Sequence, residues 1–311
     1  MERCEKIVLE AEKGITFNVS KRTSGELIIR ALNSTTANAC SPNISTANEY
    51  SANYANPPIP KGYKHICGEW NNGFVIERCS DGSQFVWIPV GSLEPNGTID
   101  GKNFSEKFGR RNYMNNKFSD DEFNEALNDK LLKQLKSVKK YGGFYISRYN
   151  ISKSSEGRPQ SVEGFMPWVS IDFYYAKKIA STIENIEAVK SHLTFGAEYD
   201  SVLEWFIKTK VKTLAEIARD STKWGNYVNT ENFPGKVVET GSREKWCANN
   251  IYDLAGNVME WTQEQFGCGD RVVRGGNGEI PGWLYTAAYR GYEYPYRFGY
   301  KIGFRAALWI K

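Results

Sequence analysis

The chain has 311 residues, 41% of them hydrophobic, and a formal charge of +4 from 40 basic against 36 acidic side chains. That length and apolar content suit one large domain or two ordinary ones with a packed core. The basic residues are interspersed, which excludes a basic stripe for nucleic acid, and no apolar run reaches the roughly 18 residues of a membrane helix.

The N-terminus, Met1-Glu2-Arg3-Cys4, lacks the apolar core of a secretory signal, so cytoplasmic synthesis is expected. Six cysteines (Cys4, Cys40, Cys67, Cys79, Cys247, Cys268) form no C-x-x-C pair, and the histidines are His65 and His192. A structural zinc site, which needs four clustered ligands, is not expected. Cys67 with Cys79 could bridge a hairpin, and Cys247 with Cys268 a second one. Free thiols are the preferred reading, because six cysteines in so long a chain are not a disulfide scaffold.

Residues 1–33 contain two apolar runs, Lys6-Ile7-Val8-Leu9 and Glu26 to Leu32, that read as strands of a small β-rich segment. Residues 34–61 are rich in Ser, Asn and Pro and read as a linker, ending in Asn56-Pro57-Pro58-Ile59-Pro60. The N-terminal piece is too small for its own core, which predicts docking or homo-oligomerisation into a larger assembly. The main domain, 62–311, opens with a hairpin: Gly73–Glu77 and Gln84–Val90 flank the turn Ser80-Asp81-Gly82-Ser83. A helix capped by Ser119 follows, with Phe123, Leu127, Leu131, Leu135 and Val138 on one face, Lys139 and Lys140 in its last turn, and Gly142-Gly143 as its stop.

Phe144–Tyr149 alternates as a strand. Ser170 is the expected cap of a second helix with Phe173, Ala176, Ile179, Ala180 and Ile183 inward. Thr194 is the expected cap of a third, with Tyr199, Val202, Leu203 and Phe206 at helical spacing. His192 reads as a hydrogen-bonded structural residue, and Lys210 to Thr240 as loop. The last sixty residues carry the strongest pattern: Leu254-Ala255-Gly256-Asn257-Val258-Met259-Glu260-Trp261, then Arg274-Gly275-Gly276, then Gly303-Phe304-Arg305. Between the second and third lie eight aromatic residues within the 25 positions from Asn277 to Lys301, against 14% in the whole chain.

With Pro167-Trp168-Val169-Ser170 and His192-Leu193-Thr194 before Glu198-Tyr199, those three motifs make residues from about 84 to 311 resemble the formylglycine-generating enzyme (sulfatase-modifying factor) family. The resemblance implies an α+β, C-type lectin-like fold. The enzymes of that family hold copper on two cysteines between Arg-Gly-Gly and Gly-Phe-Arg, whereas here no cysteine follows Cys268. Two histidines cannot build the iron site of a second enzymatic branch. Glu94-Pro95-Asn96, the one match to a lectin calcium motif, falls outside the corresponding region. Neither copper, iron nor a nucleotide is expected, and no catalytic residue is assigned.

The C-terminal arrangement is more similar to the variable proteins of diversity-generating retroelements, in which adenine-directed mutagenesis rewrites codons near the C-terminus. That likeness implies a non-enzymatic protein binding a protein or glycan on a cell surface, located on a virion, phage tail or bacterial surface. The alternative is an oxidoreductase or protein-modifying enzyme with a non-standard site. The expected ligand-binding residues are Asn277, Glu279, Trp283, Tyr285, Tyr289, Tyr292, Glu293, Tyr294, Tyr296, Phe298, Tyr300 and Lys301. Tyrosine supports this reading because it offers a broad amphipathic contact area with few torsions to freeze. Pro295 and Gly299 argue against a regular strand there, and Trp283 is the ring expected to be partly buried. The resemblance also implies a structural Ca²⁺ on the side chains of Asp253 and Glu260 and the carbonyls of Gly256 and Val258, with further ligands completing the shell. The competing arrangement is a tight turn in which Glu260 pairs with Arg274 or Arg305.

Overall fold

Gln84–Pro89 shows how the core is laid out. Each of its six residues is buried, with Val86 and Ile88 in one apolar cluster and Phe85 and Trp87 in another. Successive side chains of a strand point to opposite faces, so a continuous apolar run marks a strand covered on both sides. The computed structural model describes residues 15–21, 27–33, 56–90, 123–124, 129–228, 230 and 235–311; for 15–21, 27–33 and 123–124 it describes the backbone alone.

That strand belongs to an antiparallel six-stranded sheet in the order Val189–Leu193, Ala306–Ile310, Gly143–Ser147, Gln84–Pro89, Val75–Arg78, Tyr63–Cys67. One face packs on Val202, Leu203 and Phe206 of helix α3 (Gly196–Lys208) and on Trp224. The other packs on Phe173 and Ala176 of α2 (Phe173–Ala180) and on Trp261 and Phe304. A second sheet runs Arg290–Glu293, Asp270–Arg274, Met259–Phe266, Ile302–Phe304, the last pair parallel. The chain therefore leaves the second sheet at Phe304 and enters the first at Ala306, and Arg305 sits at the crossing.

The hairpin Val75–Arg78 to Gln84–Pro89 forms as the turn chemistry predicts. Helix α1 spans Asp129–Tyr141, with Leu131 and Val138 buried and Leu135 packed on the first cluster. It stops at Gly142, whose φ of +83 lets its N–H close on the Val138 carbonyl at 2.7 Å. Phe123 is not part of that helix: Phe123–Asn124 pairs with the edge of Met259–Phe266.

Two cap assignments need correcting. Ser170 lies in left-handed backbone (φ +55), and Asp172 caps α2 by accepting the Tyr175 N–H at 2.7 Å. The α3 N-cap is Phe195, whose N–H is taken by Glu198 at 2.8 Å, while Thr194 donates its hydroxyl to the Arg305 carbonyl. The stretch read as loop contains helix α4 (Leu214–Ala218), closed by a reciprocal box between Thr213 and Glu216. In the N-terminal region Leu27–Asn33 pairs with Ile15–Lys21. The expected strand at Lys6–Leu9, the Ser/Asn-rich stretch up to residue 55, Glu94-Pro95-Asn96, Ser119 and Leu127 lie outside the described residues.

Cys67, Cys247 and Cys268 carry free thiols, so neither suggested bridge forms. Cys79 is disulfide-bonded, which departs from the all-thiol expectation. His192 is fully buried, with Nε2 2.9 Å from Glu198 Oε1, as a structural histidine should be.

Candidate functional site

The aromatic insert begins inside the scaffold. After Arg274, Gly275 adopts φ +70, and a side chain at Gly276 would strike the Tyr285 carbonyl and the Tyr227 ring. The chain is still enclosed at Asn277, which is 2% exposed and accepts the Glu279 N–H at 2.9 Å, so this expected contact residue is a turn-forming one. Thr286, Ala287, Ala288 and Arg290 are buried as well. Arg290 pairs with Glu264, which also meets Arg274 at 3.3 Å, and Arg274 reaches Asp200. These four charged residues are buried together, two acids against two guanidinium groups. Burial pushes the Asp200 carboxyl up while Arg274 and Arg290 pull it down.

Beyond this root the insert turns outward. Trp283 (62% exposed), Leu284, Tyr292, Tyr294 (62%), Tyr296, Phe298 (68%) and Tyr300 are all exposed. Among the described residues thirteen large hydrophobic side chains are exposed, and these seven fall within 18 positions of one another. Trp283 was expected to be partly buried. The inward role belongs instead to Tyr285 and Tyr289, whose rings stack at 3.9 Å against the core. Burial and the neighbouring Tyr285 push the Tyr289 phenol above its ordinary range.

Only Arg290–Glu293 is strand; the rest of the tyrosine run is a turn-rich loop, as Pro295 and Gly299 predict. Main-chain bonds hold it. The Phe173 N–H donates to the Pro295 carbonyl at 3.0 Å, the Ser170 N–H to Gly299 at 3.1 Å, and the Met259 N–H to Lys301 at 2.9 Å. Apart from Arg290, its charges are neutralised within the insert: Glu293 holds Arg297 at 2.7 Å, and Glu279 holds Lys301 and accepts the Tyr300 hydroxyl.

Tyr174, outside the insert, joins its surface, with Tyr175 beside it on the helix. Tyr174 and Tyr175, on the outer side of α2, are both exposed; Tyr174 meets Tyr296 at 4.9 Å and Tyr175 meets Trp168 edge-on at 6.3 Å. The sequence carried a signal for them, since the inward stripe of Phe173, Ala176 and Ala180 leaves both tyrosines on the solvent side.

The implied calcium ligands lie in a buried network. Asp253, at φ +55, accepts the Thr240 hydroxyl and the Gly241 N–H on Oδ2, both at 2.8 Å. Glu260 accepts Arg305 Nε at 2.7 Å and Asn150 Nδ2 at 2.8 Å, both on Oε1. The remaining oxygens, Asp253 Oδ1 and Glu260 Oε2, are buried with no hydrogen-bond partner, and burial pushes both carboxyls up. They are hard donors of the kind calcium takes. Of the two suggested arginines, Arg305 pairs with Glu260, whereas Arg274 is engaged with Asp200 and Glu264. Among the described residues no three His, Cys, Asp or Glu side chains cluster as a metal site, so main-chain carbonyls would have to supply much of the shell.

A family model described as the sulfatase-modifying factor enzyme 1-like domain matches residues 71–310. Among solved structures, the chain is similar to PvdO from Pseudomonas aeruginosa, at 17% identity and a TM-score of 0.45, covering 76% of this chain and 98% of that one. It is also similar to CarF, at 15% identity and a TM-score of 0.41, covering 54% and 87%. A third likeness is to Treponema denticola variable protein 1, at 13% identity and a TM-score of 0.40, covering 79% and 98%. No curated protein matches.

Proposed function

The chain belongs to the sulfatase-modifying factor enzyme 1-like family and has its C-type lectin-like fold, and from that premise we propose that it is a non-enzymatic binding protein. Its working surface is the exposed aromatic face of residues 283–300, extended by Tyr174 and Tyr175. The observation that carries this reading is the concentration of exposed rings on a loop whose backbone is held by main-chain bonds and whose charges are internally paired. Isolated exposed apolar residues are ordinary, but a contiguous group on one surface marks an interaction site. Tyr294, Tyr296 and Tyr174 form such a group through ring contacts of 5.6 and 4.9 Å. The stretch also lacks the cysteines that copper chemistry would need, because Cys268 is the last in the chain.

The finer reading is that retroelement mutagenesis diversifies this surface, and that the protein meets its ligand on a cell surface while residues 1–61 join it to an assembly. Sequencing the locus in related isolates tests diversification: substitutions should concentrate at codons 277–301 and follow adenines of a template repeat. Even spacing of substitutions along the gene would sink it. Copper- or iron-dependent oxygen consumption by the purified chain would revive the enzymatic alternative. Light scattering with and without residues 1–60 tests the assembly role. A structural Ca²⁺ on Asp253, Gly256, Val258 and Glu260 completes the proposal, supported by the two buried carboxylate oxygens that have no partner.

A further inference from the structure

Two cations approach the buried ring of Phe173: the Arg271 guanidinium lies 4.7 Å and the Lys177 ammonium 5.7 Å from its centre. Among the described residues neither side chain has an acidic partner, and Arg271 Nε is buried without an acceptor. Burial, and then the charges of Arg271 and Lys130, weigh against the charged form of Lys177. Three carboxylates of the described surface are already used. Glu293 sits opposite Arg271 in strand register but binds Arg297, Glu279 binds Lys301, and Asp172 caps α2. The two cations also adjoin the aromatic surface, because the Phe173 ring meets Tyr174 at 5.4 Å and Tyr174 meets Tyr296.

We propose that Lys177 and Arg271 form an anion-receiving subsite at the rim of the aromatic surface, taking the carboxylate of an acidic side chain on a protein partner. This rests on the binding reading above and adds the chemistry of the partner. An arginine–carboxylate contact is a charge-assisted bond, and an anion placed here relieves the repulsion between two neighbouring cations. A protein fits better than a sugar because Leu284 and Phe298 present purely apolar surface, which apolar side chains of a protein match and the polar hydroxyls of a sugar do not. An aromatic centre with a charged rim is the anatomy of a protein–protein interface, where the rim chiefly sets salt dependence and association rate.

A displayed library of random linear peptides, selected on the full-length chain, tests this. Recovered binders should be enriched in Asp and Glu, should lose binding to a Tyr294→Ala/Tyr296→Ala variant, and should bind a Lys177→Gln/Arg271→Gln variant about ten-fold more weakly at low salt, with a flattened salt dependence. The Lys177→Gln/Arg271→Gln variant should unfold within about 3 °C of wild type, since the loss of two weak cation–ring contacts is offset by relief of the repulsion between the cations. Binders that need Tyr294 and Tyr296 but carry no acidic bias, and ignore the loss of both cations, overturn the subsite and leave the binding reading standing. An acidic-glycan array that gives signals dependent on Lys177 and Arg271 where peptides give none overturns the assignment to a protein partner. If neither library yields a binder that depends on Tyr294 and Tyr296, both readings fall.

Discussion

Phe298→Ala and Arg305→Leu should separate display from frame. Full burial of a phenylalanine is worth about 1.5–3 kcal/mol, and Phe298 keeps 68% of its surface in water, so less than about 1 kcal/mol is at stake. Arg305 is fully buried at the crossing between the sheets, where it donates to Glu260 and to the carbonyls of Ser147, Arg148 and Tyr252. Replacing it leaves a buried carboxylate without its cation and removes a donor from three carbonyls, of which that of Arg148 keeps the Tyr252 N–H at 3.0 Å, a change that costs about 3–5 kcal/mol. At roughly 2–4 °C per kcal/mol for a chain of this size, Phe298→Ala should move the Tm by no more than about 4 °C and Arg305→Leu by about 6–20 °C. Thermal unfolding followed by circular dichroism reads both. If Phe298→Ala costs as much as Arg305→Leu, the loop is part of the core and the division into frame and display is wrong.

Dialysis against EDTA should lower the Tm by several degrees, with recovery on adding Ca²⁺; an unchanged Tm and no calcium by elemental analysis would remove the metal. Alkylation at pH 8 should label the exposed Cys268 first and Cys247 slowly, because burial pushes the Cys247 thiol up to about 11; equal rates by peptide mass mapping would contradict its burial. Glu198→Ala should cost about 3 kcal/mol in urea unfolding, since it strips the acceptor from His192, Gln134 and the Phe195 N–H; a cost under about 1 kcal/mol would show that this network is replaceable. If the surface is diversified, related isolates should vary at 283, 284, 292, 294, 296–298 and 300 while keeping Ala287, Ala288 and Arg290, which are buried in the same insert.

The frame was legible where one local rule decides the outcome. The hairpin of Val75–Arg78 and Gln84–Pro89 is readable from the turn Ser80-Asp81-Gly82-Ser83 between two apolar runs, and Tyr199, Val202, Leu203 and Phe206 mark one face of α3 by spacing alone. Gly142 marks a helix end because only glycine takes that backbone conformation without strain. The failures are positions that distant contacts decide. Thr194 has the chemistry of a cap, yet its hydroxyl goes to Arg305, 111 residues away, and Glu198 takes the capping role alone. Trp283 and Tyr285 are equally aromatic, and which faces water depends on Tyr289 being placed to stack on Tyr285. The α4 box is readable from the spacing of Thr213 and Glu216, but the helix it starts is only five residues long and offers little periodicity.

The aromatic positions of the loop can be exposed because of where its hydrogen bonds go. A loop anchored by its side chains would lose its shape with each substitution. This one is fixed at Pro295 and Gly299 by N–H groups of Phe173 and Ser170, which are main-chain donors, and at Lys301 by the N–H of Met259. None of these bonds involves a side chain of Tyr294, Tyr296, Phe298 or Tyr300, so the backbone conformation is set by the scaffold and the chemistry of the surface by the side chains. The same bonds bring Tyr296 beside Tyr174 on α2, so a surface diversified as proposed would keep the helix as its constant part. Lys177 and Arg271 lie outside the insert as well, so on the proposed reading the partner of each variant would meet the same two cations at the rim.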